Sequence, residues 1–412
     1  VMNASDSTSA APGGEDRPVL AVRGRRLFDG ARLLPGENAT VLIRADLIVG
    51  IDTIGAPLPD GAVLHDLGQV TLLPGLIDTH THLVFDASEQ AAAHVQSAND
   101  EDLLAHMRTA AGAMLSAGIT TARDLGDRGY LSLAVRDDTA ADALAGPRLL
   151  TAGPPLTPTG GHCWFLGGQA DGADGLVRAV RERASRGTDL IKVMVTGGRM
   201  TPTTLPHESQ YTLAELRAVV DQAHGLGLRI AAHVHGRQGI LDALTAGFDT
   251  LEHVSFMTAE GFAPDPAVID AIAEAGAIVS VTAGVLPTYT PPPGSPGAML
   301  RRFMPKMLAH IKNMQERGVR LTLGPDGGIG PGKPHTVLPH AITDLSAAGI
   351  STTELLAAAT STAAEACGIG SEVGRLQPGH RADILAVAGN PVADAEAIHR
   401  VVAVYRRGRR AC

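Results

Sequence analysis

Val70-Thr71-Leu72-Leu73-Pro74-Gly75-Leu76-Ile77-Asp78-Thr79-His80-Thr81-His82 is an apolar run that ends in two histidines one residue apart. The run reads as a buried strand over residues 70–78. Similar short apolar runs follow at 119–125, 148–152, 190–195, 229–233, 250–253, 278–282 and 320–323. Helix-like segments separate most of them, among them 100–117, 213–226, 266–275 and 299–317. Strand–helix alternation of this kind, repeated eight times over about 250 residues, predicts an α/β chain folded as a (β/α)8 TIM-like barrel. Its chemistry then lies at the C-terminal ends of the strands. A doubly wound open sheet competes on periodicity alone, but no glycine-rich phosphate loop follows the first strand.

Outward from this middle the texture changes. Residues 19–70 carry short β-like runs broken by Asp29-Gly30 and Pro35-Gly36, and the stretch from Gly374 repeats the pattern with Pro378-Gly379 and Gly389-Asn390-Pro391. The expected organisation is a flexible tail over 1–18, a small β-sandwich domain built from 19–73 and 374–410, and the barrel over 74–373. The proline-rich stretch 284–303 is too long for a simple connector and reads as a lid or pocket wall.

The 412 residues carry 34 Lys+Arg against 43 Asp+Glu, a formal charge of −9. That balance argues against nucleic acid and anionic membrane as partners, since both need a basic face. Three cysteines, Cys163, Cys367 and Cys412, make no disulfide framework. No run approaches the ~18 apolar residues of a membrane span, and the start lacks a signal-peptide pattern, so a cytoplasmic location is expected. Only four lysines occur, Lys192, Lys306, Lys312 and Lys333, so a lysine in an odd place needs a reason.

The chemistry sits at the strand ends. Residues i and i+2 of a strand point the same way, so His80 and His82 can reach one metal ion, although a lone His-x-His is a weak signal. Lys192 lies in the apolar strand Leu190-Ile191-Lys192-Val193-Met194-Val195. The bland reading is a snorkelling or paired lysine; the sharp one is an amine depressed by burial, able to form a Schiff base or a carbamate with CO2. His233 and His253 end further apolar strands, and Asp326 follows the eighth. Each alone is more often a satisfied core group than a ligand. Together they form the N/O set that borderline divalent ions favour, and they select the carbamate for Lys192. By strand alternation Glu252, next to His253, should point away from the metal.

The combination PGLIDTHTHL (74–83), GITTARDLG (118–126), GGH (160–162), IKVMVTGG (191–198), AAHVHG (231–236), LEHVS (251–255), LGPDGG (323–328) and LQPGHRADI (376–384) resembles the amidohydrolase superfamily. The likeness is to its imidazolonepropionase-like branch, with metal-dependent Xaa-Pro and Xaa-Arg dipeptidases and ochratoxinase-type amidases. The resemblance implies His80, His82 and Asp326 on one divalent ion, His233 and His253 on a second, and carboxylated Lys192 bridging both. Zinc is the expected ion, and the ligand set also accepts Mn, Co or Ni. It implies further that His162 and His235 face the substrate, where dipeptidase relatives often carry Tyr at the position of His235. The expected activity is cleavage of a C–N amide in a dipeptide or N-acyl amino acid by a hydroxide shared between the ions. His162 or His235 would polarise the carbonyl, and Asp326 would shuttle the proton. A mononuclear cyclic-amide hydrolase or deaminase is the alternative within enzymes, and a catalytically silent metal-binding barrel the alternative outside them. The partner is then a small amide or dipeptide, and the assembly a homo-oligomer.

Among other residues, Trp164, the only tryptophan, is expected to line the pocket, and Arg301 is a candidate for a substrate carboxylate, against a solvated pair with Arg302. Cys163 reads as structural, since hydrolysis of this kind needs no thiol. The remaining histidines read as surface or packing residues, with His335 and His340 the foremost exceptions.

Overall fold

The computed structural model describes residues 18–412, so the stretch expected as a flexible tail lies outside the described residues apart from Pro18. The N-terminal β-like segment forms β1 (Leu20–Gly24), β2 (Arg26–Leu27), β3 (Ala39–Arg44), β4 (Leu47–Asp52), β5 (Val63–Asp66) and β6 (Val70–Pro74). Four of these make a sheet in the order β4-β3-β1-β5. The other two, β2 and β6, join the C-terminal strands β15 (Ile384–Ala388), β16 (Val401–Arg406) and β17 (Arg409–Arg410) in a five-stranded sheet, order β17-β16-β15-β6-β2. The junction is the antiparallel pairing of β6 with β15, with Leu72 opposite Ala386. Alternation along β3 turns Val41 and Ile43 inward. They pack in one apolar cluster with Val22 of the first sheet and with Leu72, Ile384, Ala403 and Tyr405 of the second.

Between these ends lie eight parallel strands. β7 (Leu76–Thr81), β8 (Ile119–Asp124) and β9 (Arg148–Thr151) form one parallel sheet. β10 (Leu190–Met194), β11 (Arg229–Val234), β12 (Thr250–His253), β13 (Ile278–Val281) and β14 (Arg320–Leu323) form the other, each paired in order with the next. Isolated parallel bridges join the two sheets at both margins, Leu156 with Val193 and Thr81 with Gly327. Several of the connecting helices begin on side-chain caps, among them Asn99 before Asp100–Ser116, a Thr212/Glu215 capping box before Leu213–Gly225, and Asp265 before Pro266–Glu274. Their apolar faces and the strands share one large core. None of the described helices is long and apolar enough to cross a membrane.

Two sequence expectations change. The run 70–78 is not one strand but two, parted at Gly75. On one side the chain pairs with β15; on the other, Leu76 N–H donates to Gly118 O at 2.9 Å and β7 enters the parallel layer. Gly75 itself donates to Asp383 O, and a Cβ there would meet Thr120 Oγ1 at 2.1 Å, so the changeover needs a glycine. The proposed lid 284–303 is also shorter than expected. Ser295 caps a helix over Pro296–Glu316, whose first turn uses Pro296 where no N–H is needed, leaving only 284–295 as connector.

Candidate metal centre

The register of the parallel sheet decides which side chains meet. Lys192 lies opposite Ala231, Met194 opposite His233, His233 opposite Glu252, Glu252 opposite Ser280, and Ser280 opposite Thr322. These residues share one face, and on it the hydroxyl of Thr79 in β7 meets Ser280 Oγ at 2.9 Å and Thr322 Oγ1 at 2.6 Å. The interior is therefore polar beneath its C-terminal end. At that end two groups of metal-binding side chains converge, His80, His82 and Asp326, and His233, His235 and His253, with the ligand atoms of each group within 4.8 Å of one another. Asp326 Oδ1 is 3.5 Å from both His80 Nε2 and His82 Nε2. The rings of His233, His235 and His253 stand 4.5 Å apart pairwise.

Each histidine is steered through its other nitrogen. His82 Nδ1 faces Gly126 O at 2.9 Å, and His233 Nε2 faces Gly197 O at 3.2 Å. A carbonyl only accepts, so these nitrogens carry the hydrogens, leaving His82 Nε2 and His233 Nδ1 as free donors of a lone pair. His253 Nδ1 meets Thr282 Oγ1 at 3.3 Å and its Nε2 lies 2.9 Å from His233 Nδ1. His235 Nδ1 meets Ser255 Oγ at 2.8 Å.

His80 has a different support, and here the alternation argument fails. Glu252 points inward, with Oε2 3.0 Å from His80 Nδ1, close but out of line for a full hydrogen bond. His253 is inward as well, because it adopts a left-handed backbone (φ 70°) and so turns back to the side its strand position denies it. The Glu252 carboxylate, 0% exposed, is paired with the guanidinium of Arg123, 2% exposed, at 2.8 Å. Arg123 Nε also donates to Thr79 O at 2.7 Å, beside His80. Asp326 is a further left-handed residue (φ 63°), and its N–H donates to His80 O at 2.9 Å. Strained backbone of this kind collects at functional sites.

Burial is the leading cause of every large shift in the centre. It holds His80, His233 and His253 well below the ordinary histidine range, and His162 and His235 at about 3, so all five rings are neutral. Lys192, 1% exposed, is lowered by burial to about 8 against the opposing pull of Glu252 and Asp326. Its Nζ has no hydrogen-bond partner. An unpaired buried amine between neutral imidazoles and a carboxylate is costly as it stands. The donor set and this orphaned amine fit divalent ions held by nitrogen and oxygen, with Lys192 as the remaining ligand source.

The other sequence candidates fall into place unequally. His162 stacks on His233 with ring centroids 4.8 Å apart, and its Nδ1 is buried without a partner. Cys163 Sγ lies 3.5 Å from His162 Nε2, but burial raises the thiol to about 12, so it is no nucleophile. Trp164 is 42% exposed and edges onto Phe165, which leads through Phe85 to His82. Arg301 is exposed and donates to Tyr289 O at 2.9 Å. His340 packs on His399, whereas His335 is buried and donates Nε2–H to His82 O at 3.0 Å. The supporting residues Arg123, Glu252 and Lys333 were missed as part of the site. Arg123 and Glu252 each interrupt a strand buried along its whole length, which is the signal that could have found them.

A polar parallel interior with two histidine-rich triads at its C-terminal end defines a metal-dependent hydrolase of the amidohydrolase type. Residues 71–411 match the amidohydrolase family, and the chain belongs to it, as a hydrolase acting on C–N bonds. It is 29% identical over 374 residues to an ochratoxinase from Aspergillus niger, covering 81% of this chain and 73% of that one. It is 26% identical over 390 residues to an imidazolonepropionase from Deinococcus deserti, covering 89% and 88%. The crystal structure of a Xaa-Pro dipeptidase with methionine bound in its active site superposes with a TM-score of 0.83 at 26% identity, over 95% of this chain and 99% of that one.

Proposed function

We propose that this protein cleaves the amide bond of an N-acyl amino acid or dipeptide at a binuclear metal centre. The single observation that carries the reading is the pair of triads together with the unpartnered, buried Lys192, which acts electrostatically on histidines of both. In this reading His80, His82 and Asp326 would hold one ion and His233 and His253 the other, with carboxylated Lys192 as a ligand available to both. Bound divalent ions supply Lewis acidity toward water and toward the scissile carbonyl.

The chain's own residues do the rest. His162 and His235, both neutral, each offer an imidazole N–H to the substrate carbonyl oxygen; with Nδ1 of His235 accepting from the Ser255 hydroxyl, its Nε2–H is free for that role. Asp326 Oδ1 is turned to His80 and His82, so Oδ2 is the oxygen that takes a proton from the attacking water and delivers it to the leaving nitrogen. Trp164 and Phe165 form an apolar edge suited to a bulky side chain. The architecture underlying this reading is a closed (β/α)8 barrel over 74–373, with a structural β-sandwich domain from 19–73 and 374–410. Homology to an imidazolonepropionase favours one second reading, a mononuclear hydrolase of cyclic amides.

The test is a panel of dipeptides and N-acyl amino acids assayed with zinc-reconstituted protein, with metal counted per chain. Two ions and turnover of a linear amide are expected. Lys192→Ala should lower the count toward one and remove most activity. Two tightly bound ions and undiminished turnover in that variant, without added short carboxylate, would show that no carbamate is needed.

A further inference from the structure

We propose that Lys333 is a positioning residue for Asp326, acting by clamping the ends of β13 and β14 with one ammonium group. The proposal rests on the reading of Asp326 given above. Lys333 is one of only four lysines, and only 6% of it is exposed. A buried ammonium is costly unless its hydrogens are used. Two of them are: Nζ donates to Thr282 O at 2.8 Å, just past β13, and to Pro325 O at 2.6 Å, just past β14.

The second bond falls on the peptide unit that matters. Pro325 C=O and Asp326 N–H belong to the same peptide plane. Lys333 holds its oxygen, and His80 O accepts from its N–H at 2.9 Å. The plane is thus pinned at both ends immediately before a non-glycine residue with φ 63°. Such a conformation persists only where the surroundings over-determine it. The first bond ties this clamp to the other triad, because Thr282 Oγ1 meets His253 Nδ1. Lys333 is itself fixed by the turn 328–333, with its N–H on Gly330 O at 2.8 Å and its carbonyl accepting from Gly328 N–H at 2.7 Å. The carboxylates that act on the ammonium are those of Asp326, Asp344 and Asp78, and burial lowers it to about 8.

Without the ammonium, a buried carbonyl at Pro325 and a part-buried one at Thr282 lose this donor, and the Pro325–Asp326 plane is free to rotate. Asp326 Oδ1 would then leave its place between His80 and His82. A residue that merely staples the loop would lower thermal stability and leave metal affinity in the folded protein alone.

The experiment uses the full chain, with Lys333→Met and Lys333→Gln made in parallel and read from whichever keeps the wild-type far-UV circular dichroism. Zinc alone is the probe, titrated against a competing chelator, and cobalt(II) substitution reports ligand geometry through its visible bands. The expected result is a weakening of about 10–100-fold for one of two ions, with altered cobalt bands. The loss should vanish in an Asp326→Asn background, since both changes act on one ligand. Equal zinc affinity and identical cobalt bands in a folded variant overturn the proposal alone. Wild-type protein that takes up no zinc overturns the functional reading and this proposal with it. If neither variant folds, Lys333 is a folding residue and the proposal is likewise overturned.

Discussion

Glu252 shows how much of this candidate centre depends on side chains outside the two triads. Its carboxylate stands at His80 Nδ1 and is fixed there by Arg123, so His80 is driven to present Nε2 beside Asp326. Glu252→Gln keeps the shape but removes the charge that favours a hydrogen on Nδ1. Arg123 is then left as a buried cation without its counter-ion. Metal affinity should fall about 10–100-fold, the usual effect of losing such a support. Equilibrium dialysis against zinc measures it, and unchanged affinity would reduce Glu252 to a core ion pair. The residues that converge here were legible in sequence for a simple reason: His80, His233, His253 and Asp326 are polar residues at the ends of apolar runs. Glu252 was misread because alternation cannot foresee the left-handed turn at His253.

At the scale of elements, the loop after β14 supports the loop after β7. His335 lies on the first and donates to the carbonyl of His82 on the second, and Gly328 permits the approach, since a Cβ there would meet His82 O at 2.6 Å. Burial pulls His335 down to about 4 from the ordinary 6.5. Between those values the unfolded chain binds a proton that the folded chain refuses. Its contribution to stability is therefore complete above pH 6.5 and drains away as the pH falls toward 4. Other buried histidines add slopes of the same sign. His335→Gln, whose amide can still donate to His82 O, should flatten the fall of the urea midpoint over that window, and an identical slope in the variant would count against the assignment. Most strands were readable as apolar runs of the right length. The split at Gly75 was passed over: Pro74-Gly75 is the same break signal as Pro35-Gly36, but it lies between two fully buried strands that read as one apolar run.

Over the whole molecule, the two ends of the chain depend on one another. Strands β15 to β17 supply three of the five strands in a sheet whose other two come from before residue 75. Arg406 of β16 also reaches the parallel layer, where its Nη1 donates to Thr139 O at 2.7 Å, Ala143 O at 3.2 Å and Gly146 O at 2.6 Å, around the end of the helix Leu131–Ala141. The β texture of both ends was legible, and strands from both do share one sheet. The Arg406 clamp was not, because an arginine near a terminus reads as solvated surface. A chain ending at Ser371 would lose both devices. Leu72 would lose its partner Ala386, and the cluster holding Val22, Val41 and Ile43 would lose Ile384, Ala403 and Tyr405. The bared edge of β6 would then be open to pairing with other chains. The truncated protein should accordingly be insoluble, as fractionation of the lysate would reveal. Recovery of a soluble, fully active chain ending at Ser371 would mean that the terminal sheets fold independently of each other.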